Sequence, residues 1–140
     1  MKIVEDHPPN IEHIKAAFDI EGQSVVFTYG DTVYNPLKLP IPDHVLVHEA
    51  VHVKQQDGVG PERWWAMYIA DPVFRLDQEL QAYSAQYQYM KARCTNRQLS
   101  SFLFALAQDL SGPMYGNILT HIEAEHRIRT YAQRELAAVV

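Results

Sequence analysis

The sequence predicts a small α+β domain that is mostly helical and carries a short β-hairpin near its N-terminus. Two observations support this class. β-branched and aromatic residues surround a Gly-Asp pair between residues 24 and 34, whereas helix start and stop signals follow one another after Pro42. The chain has 140 residues, the size of one domain, so we expect a single domain over residues 1–140.

The composition excludes several classes of partner. Seventeen acidic against twelve basic residues give a formal charge of -5, and no stripe of Lys or Arg suits nucleic acid or an anionic membrane. No apolar run has the length of a signal peptide or a membrane span, so we expect a cytoplasmic protein. Cys94 is the single cysteine, so a metal would need nitrogen and oxygen ligands. The composition specifies no oligomeric state.

The N-terminal part contains the predicted β-structure. A short helix is expected over residues 11–18. Residues 24–29 and 32–34 are rich in β-branched and aromatic types and are separated by Gly30-Asp31, which is typical of a two-residue hairpin turn. The sequence therefore predicts a small hairpin here.

Five helices are predicted after this hairpin. The first begins with Asp43 as its N-cap, runs to Gln56 and stops at Gly58. A short helix follows from Pro61. The other three are a long helix over residues 72–93 after an Asp-Pro N-cap, a helix that opens with a Thr95/Gln98 capping box and ends near residues 111–113, and a last helix over residues 117–136.

The first of these helices contains two histidines spaced for one metal ion. His48 and His52 are four residues apart, so their side chains differ by about 40° around the helix and roughly 6 Å along it. Glu49 lies on the same side, where it can contact a metal-bound water without being a ligand. Zinc lowers the pKa of such a water to about 7, so Glu49 is the predicted general base and Zn²⁺ the predicted metal.

The apolar neighbours of this pair strengthen the metal interpretation over that of two surface histidines. Apolar residues occur on nearly every side of the helix, which predicts a buried central helix: Val45, Leu46, Val47, Ala50, Val51 and Val53. Unpartnered polar groups at this place would cost several kcal/mol, whereas a shared metal satisfies them together.

A catalytic zinc site needs a third protein ligand and one open position. A metzincin continuation is excluded, because positions 55 and 58 are Gln and Gly rather than Gly and His. Glu79, on the long helix, is the predicted third ligand, since Ala82 and Tyr83 share its face and a small residue there permits close helix packing. The competing interpretation of Glu79 is a solvent-exposed helix acid. Asp77 points elsewhere.

These residues resemble the gluzincin metallopeptidases, and the stretch HExxHxxQQ from His48 to Gln56 is similar to that of small metallopeptidase-like proteins of phages and bacteria. The resemblance covers residues 43–90. It implies a zincin-like domain in which the glutamate helix packs against the active-site helix, and a sheet edge, here the hairpin of residues 24–34, binds extended peptide. Larger gluzincins often have an aspartate where this chain has Tyr83, so the partner that orients a ligand histidine stays open.

Peptide hydrolysis also needs a donor for the developing oxyanion. Tyr115 lies in a Gly- and Pro-rich loop between two apolar helices and is the candidate donor, the alternative being a packed loop aromatic. Arg75 and Tyr83 are rival donors, while His44 and Gln55 share the helix face of the two histidines.

The resulting hypothesis is a zinc-dependent peptidase that acts on peptide or protein substrates with Glu49 as general base. The alternative is a metal-containing binding or regulatory module that keeps the site without turnover. A purely structural site is disfavoured, because it needs no base and usually fills all four metal positions with protein ligands.

Overall fold

The computed structural model describes the backbone of residues 1–139 and the side chains of residues 1–131. Within this part of the chain six α-helices accompany one three-stranded sheet, which confirms the predicted mostly helical α+β class. The chain divides into two compact units, Met1–Asp71 and Pro72–Val140. That both belong to a single domain stays a prediction.

The first unit begins with the sheet. Its elements are β1 (Lys2–Val4), α1 (Ile11–Ala17), β2 (Phe27–Tyr29) and β3 (Thr32–Tyr34). The predicted hairpin is confirmed, since β2 pairs antiparallel with β3, but its first strand starts at Phe27 rather than at residue 24. β1 was not predicted. It pairs parallel with β3, so the strand order is β1-β3-β2 and β2 lies at one edge.

Two helices complete the first unit, α2 (Asp43–Val59) and α3 (Pro61–Ala70). The predicted ends of α2 are both wrong. Pro42 rather than Asp43 has the extended N-cap conformation, with φ -60° and ψ 150°, and no side chain caps the helix by a hydrogen bond. Gly58 is helical, and the helix ends at Val59 with Gly60 as its C-cap, whose φ of 87° is accessible to glycine but strained for other residues.

The buried face of α2 is polar, which corrects the prediction of an apolar central helix. Its buried residues are His48, Glu49, His52 and Gln56. The surrounding Val and Leu side chains are half-buried, and Ala50 is exposed. A helix that is apolar on every side has no unique inward face, so its contacts with β2 and α3 decide which residues become buried.

Aromatic residues of α3 form a core within the first unit. Trp64, Trp65 and Tyr68 are all buried, and the rings of Trp64 and Tyr68 stack with their centroids 4.9 Å apart. Trp64 also lies against His52, with 5.4 Å between the ring centroids. These aromatics therefore belong to the core of the first unit, and Trp64 lies beside the second histidine of the pair.

The second unit is helical. Its elements are α4 (Pro72–Lys91), α5 (Asn96–Leu110), a 3₁₀ turn (Pro113–Tyr115) and α6 (His121–Val139). The Thr95/Gln98 capping box of α5 is confirmed. α6 starts later than residue 117, because Asn117 has a φ of 52° and Thr120 and Glu123 form a capping box of their own.

The core of the second unit combines residues from α4, α5, the 3₁₀ turn and α6. Its fully or nearly fully buried members include Leu80, Leu106, Leu110, Ala124 and Ile128. Apolar residues at helical spacing thus produce the packing expected from the sequence. Among the described residues, none of the helices combines the length and the apolar character needed to cross a bilayer.

Candidate metal centre

The two predicted histidine ligands converge on α2. The Nε2 atoms of His48 and His52 lie 3.2 Å apart, and both side chains are buried. Two imidazole nitrogens bound to one tetrahedral zinc at 2.0–2.1 Å are about 3.3 Å apart. The spacing of this pair therefore fits a shared zinc ion without rearrangement of α2.

Gln55 orients the second histidine. Its Oε1 lies 2.8 Å from Nδ1 of His52, and an amide oxygen can only accept, so Nδ1 donates the proton. The lone pair is then on Nε2, the atom that faces His48. Gln55 is thus the orienting partner of His52 that the sequence left open. Its contact selects the neutral tautomer of His52 that binds metal through Nε2.

Glu79 joins the histidine pair in a group that could hold a metal ion. Each of His48, His52 and Glu79 offers one ligand atom, and these atoms lie within 4.8 Å of one another. Glu79 is only 4% exposed, so its interpretation as a solvent-exposed helix acid is wrong. Asp77, two residues earlier on α4, is exposed. Among the described residues, no other set of three such side chains forms a group of this kind.

Tyr115 lies next to the carboxylate of Glu79. Its hydroxyl donates to Oε2 of Glu79 at 3.4 Å and is 3.5 Å from the hydroxyl of Tyr83. The loop that carries Tyr115 is held by Arg75, which donates from Nη1 to the carbonyl oxygen of Met114 at 2.7 Å. Glu79, Tyr83 and Tyr115, all of them candidates from the sequence, thus lie in one polar cluster. The use of Tyr115 as an oxyanion donor stays a prediction.

The predicted base, Glu49, is buried and hydrogen-bonded. It is 6% exposed, and its Oε2 accepts a hydrogen bond of 2.6 Å from the Thr28 hydroxyl on β2. No sequence pattern indicates this partner, because Thr28 and Glu49 are separated by a turn, a strand and a loop. Only the packing of β2 on α2 brings them together.

Gln56 connects the hairpin to α2 through two hydrogen bonds. It is fully buried, donates from Nε2 to the Thr28 carbonyl oxygen at 2.8 Å and accepts at Oε1 from the Gly30 amide at 2.7 Å. Nε1 of Trp65 donates to the same Thr28 carbonyl at 2.9 Å. Both lone pairs of that oxygen are thus used within the protein, so the hairpin edge does not offer this acceptor to a peptide. A wider peptide-binding role for the hairpin stays a prediction.

His44, one turn before His48, shares the ligand side of α2. Burial lowers the pKa of His44 below its ordinary value, and the neighbouring His48 lowers it further. His44 is therefore neutral at physiological pH and adds no positive charge that would oppose a cation at the histidine pair.

The gluzincin resemblance, which rests on the HExxH stretch of α2 and on Glu79 of α4, stays a prediction. No protein-family model, curated protein or solved structure matches this chain.

Proposed function

We propose that the protein is a zinc-dependent peptidase in which His48, His52 and Glu79 hold the metal and Glu49 is the general base. The observation that carries the proposal is the group of two imidazoles and one carboxylate with ligand atoms within 4.8 Å. Two nitrogens and one oxygen form the ligand set of hydrolytic zinc sites, which keep their fourth position for water or substrate.

The donor atoms fit zinc in kind as well as in spacing. Neutral imidazoles and a carboxylate suit this borderline ion, and Gln55 fixes the tautomer of His52 that binds metal. A zinc ion held there would supply a Lewis acid and lower the pKa of water to near 7.

Glu49 supports a catalytic rather than a purely structural site. It follows His48 directly and is buried on the same side of α2. A structural site needs no buried base. Burial of the Glu49 carboxylate would then cost desolvation free energy without any functional role for the group. As general base, Glu49 takes a proton from the attacking water and later gives it to the leaving amine.

The ligand set is tested by the zinc affinity of Glu79→Ala. We expect the affinity to fall by more than about a hundredfold, because loss of a direct ligand should exceed the 10–100-fold effect of losing an outer partner. Asp77→Ala, an exposed carboxylate two residues away on α4, is the matched control and should bind zinc normally. Elemental analysis and competition with a chromogenic chelator measure both. Unchanged affinity in Glu79→Ala would remove this residue from the ligand set.

The catalytic role of Glu49 is tested by Glu49→Gln, which keeps the size of the side chain and removes its basicity. Zinc should remain bound, while cleavage in a diverse peptide library should fall by about 10²–10⁴-fold, the usual effect of a positioned general base. Near-normal cleavage would assign the proton transfer to another residue. A wild type that binds zinc and cleaves nothing would favour the binding or regulatory module instead.

A further inference from the structure

Thr28 is the middle residue of β2 and is almost completely buried, with 2% of its surface exposed. Its hydroxyl donates to Oε2 of Glu49 at 2.6 Å. A hydrogen bond to a carboxylate is short and strong compared with one between neutral groups. The predicted base is therefore held by a side chain of the sheet as well as by its own helix.

The backbone that carries the Thr28 hydroxyl is held by several contacts. The carbonyl oxygen of Thr28 accepts hydrogen bonds from Gln56 and Trp65, and β2 is paired with β3 on its other side. The backbone at Thr28 is thus fixed from α2, from α3 and from the sheet. A β-branched side chain on a fixed strand has few rotamers, so its hydroxyl position is well defined.

This contact selects one orientation of a flexible side chain. Glu49 has several rotatable bonds, and a base accelerates a reaction only when it is held close to the proton that it takes. With Oε2 engaged by Thr28, Oε1 is the oxygen left for proton transfer. A peptidase with this base gains from a carboxylate that does not have to be ordered in each turnover.

We propose that Thr28 is a positioning residue that fixes the Glu49 carboxylate for proton transfer, an inference that rests on the peptidase function proposed above. Thr28 contacts no substrate in this role. It acts through Glu49, so its loss should lower the rate of the chemical step and leave substrate binding nearly unchanged.

The test compares three variants of the zinc-loaded protein. Thr28→Val keeps the shape and removes the hydroxyl, Thr28→Ser keeps the hydroxyl, and Thr32→Val makes the same change on β3, where the hydroxyl bonds to Asp31 instead. We expect kcat of Thr28→Val to fall by about tenfold to a hundredfold with KM and zinc content unchanged. Thr28→Ser should recover to within about threefold of the wild type, and Thr32→Val should remain at the wild-type level.

A second measurement does not depend on activity. Urea unfolding of the wild type, Thr28→Val, Glu49→Ala and the double variant gives a double-mutant cycle. We expect the two single effects on the unfolding equilibrium constant to overlap by about fivefold or more in the double variant, because both remove the same contact. Independent effects would show that the contact contributes no coupling free energy and would overturn the proposal.

The outcomes separate the two hypotheses. A wild type that cleaves no peptide would overturn the peptidase function and the role of Thr28 with it. An active wild type with a normal kcat in Thr28→Val would overturn the role of Thr28 alone. A low kcat in both Thr28→Val and Thr28→Ser would show that packing of the side chain, and not its hydroxyl, is needed, which also contradicts the proposal.

Discussion

α2 and α5 are helices of similar length whose buried faces have opposite chemistry. α5 buries Leu103, Leu106, Ala107 and Leu110, which follow the spacing of a regular amphipathic helix, and opens with a capping box. α2 buries four polar residues, leaves four of its five valines half-buried and begins without a side-chain cap. α5 is thus stabilised by its own pattern, whereas α2 depends on hydrogen bonds from its neighbours.

The difference indicates what each helix contributes. Leucines in the core of the second unit provide stability through burial of apolar surface. The buried polar groups of α2 each need a partner, because a polar group buried alone costs free energy. Those partners come from β2, from α2 itself and from the proposed metal, so the inward face of α2 is organised around a site rather than around a core.

The largest effect on stability is expected at Leu110 of α5. It is fully buried, so Leu110→Ala should lower the free energy of unfolding by about 2–5 kcal/mol. Val51→Ala, in the half-buried apolar part of α2, should cost about 1 kcal/mol or less, since the two methyl groups that it removes are only partly shielded from water. Urea denaturation of both variants measures the contrast, and equal losses would mean that α2 is packed like a core helix.

The adjacent glutamines of α2 should separate metal binding from folding. Gln55→Ala should weaken zinc binding by about 10–100-fold, because His52 loses the partner that orients its ring, and should change stability little. Gln56→Ala should lower the free energy of unfolding by about 1–3 kcal/mol, because the Gly30 amide loses its acceptor and the Thr28 carbonyl loses one of its donors. Zinc titration and urea denaturation of both variants test this, and identical behaviour of the two would refute the division of roles.

The smallest effect concerns the capping box of α6, a feature shared with α5 and absent from α2. Hydrogen bonds from Thr120, that of the backbone first, lower the pKa of Glu123 below its ordinary value. A lowered folded-state pKa means that the charged carboxylate favours the folded state above the unfolded pKa of about 4.3, and that this contribution is lost as the pH falls through the folded pKa.

Glu123→Gln should therefore have a lower urea midpoint than the wild type at pH 6, and the difference should shrink as the pH falls below about 4.3. Gln still accepts the Thr120 amide hydrogen, so the substitution removes only the charge. A difference that is independent of pH would show that the charge of Glu123 makes no contribution through the cap.

Features of the fold and site that depend on local spacing were predictable from the sequence. His48 and His52 share a helix face because they are four residues apart, and the capping box at Thr95 is read from residues three apart. Glu79 was predictable because it lies on a helix beside a small residue and is an acid of the right kind. The histidine pair and the capping box need only the geometry of a single helix, whereas the grouping of Glu79 with the histidines involves a second helix.

The remaining features depend on contacts between distant segments. β1 has only three residues and pairs with a strand far along the chain, so neither its length nor its composition marks it. The inward face of α2 was misjudged because its apolar residues lie all around the helix. Thr28 could not be found, since nothing near it in sequence indicates that its hydroxyl meets a carboxylate on α2.

Gln56 and Trp65 also protect the β2 edge of the sheet from pairing with other strands. β2 lies at the edge of the sheet, and an open strand edge offers free backbone groups on which a second chain can add a strand and begin to aggregate. At the centre of β2 the carbonyl oxygen already has two donors, so an arriving strand finds no acceptor there. The side chains that fix the position of Thr28 thus also close the edge strand against self-association.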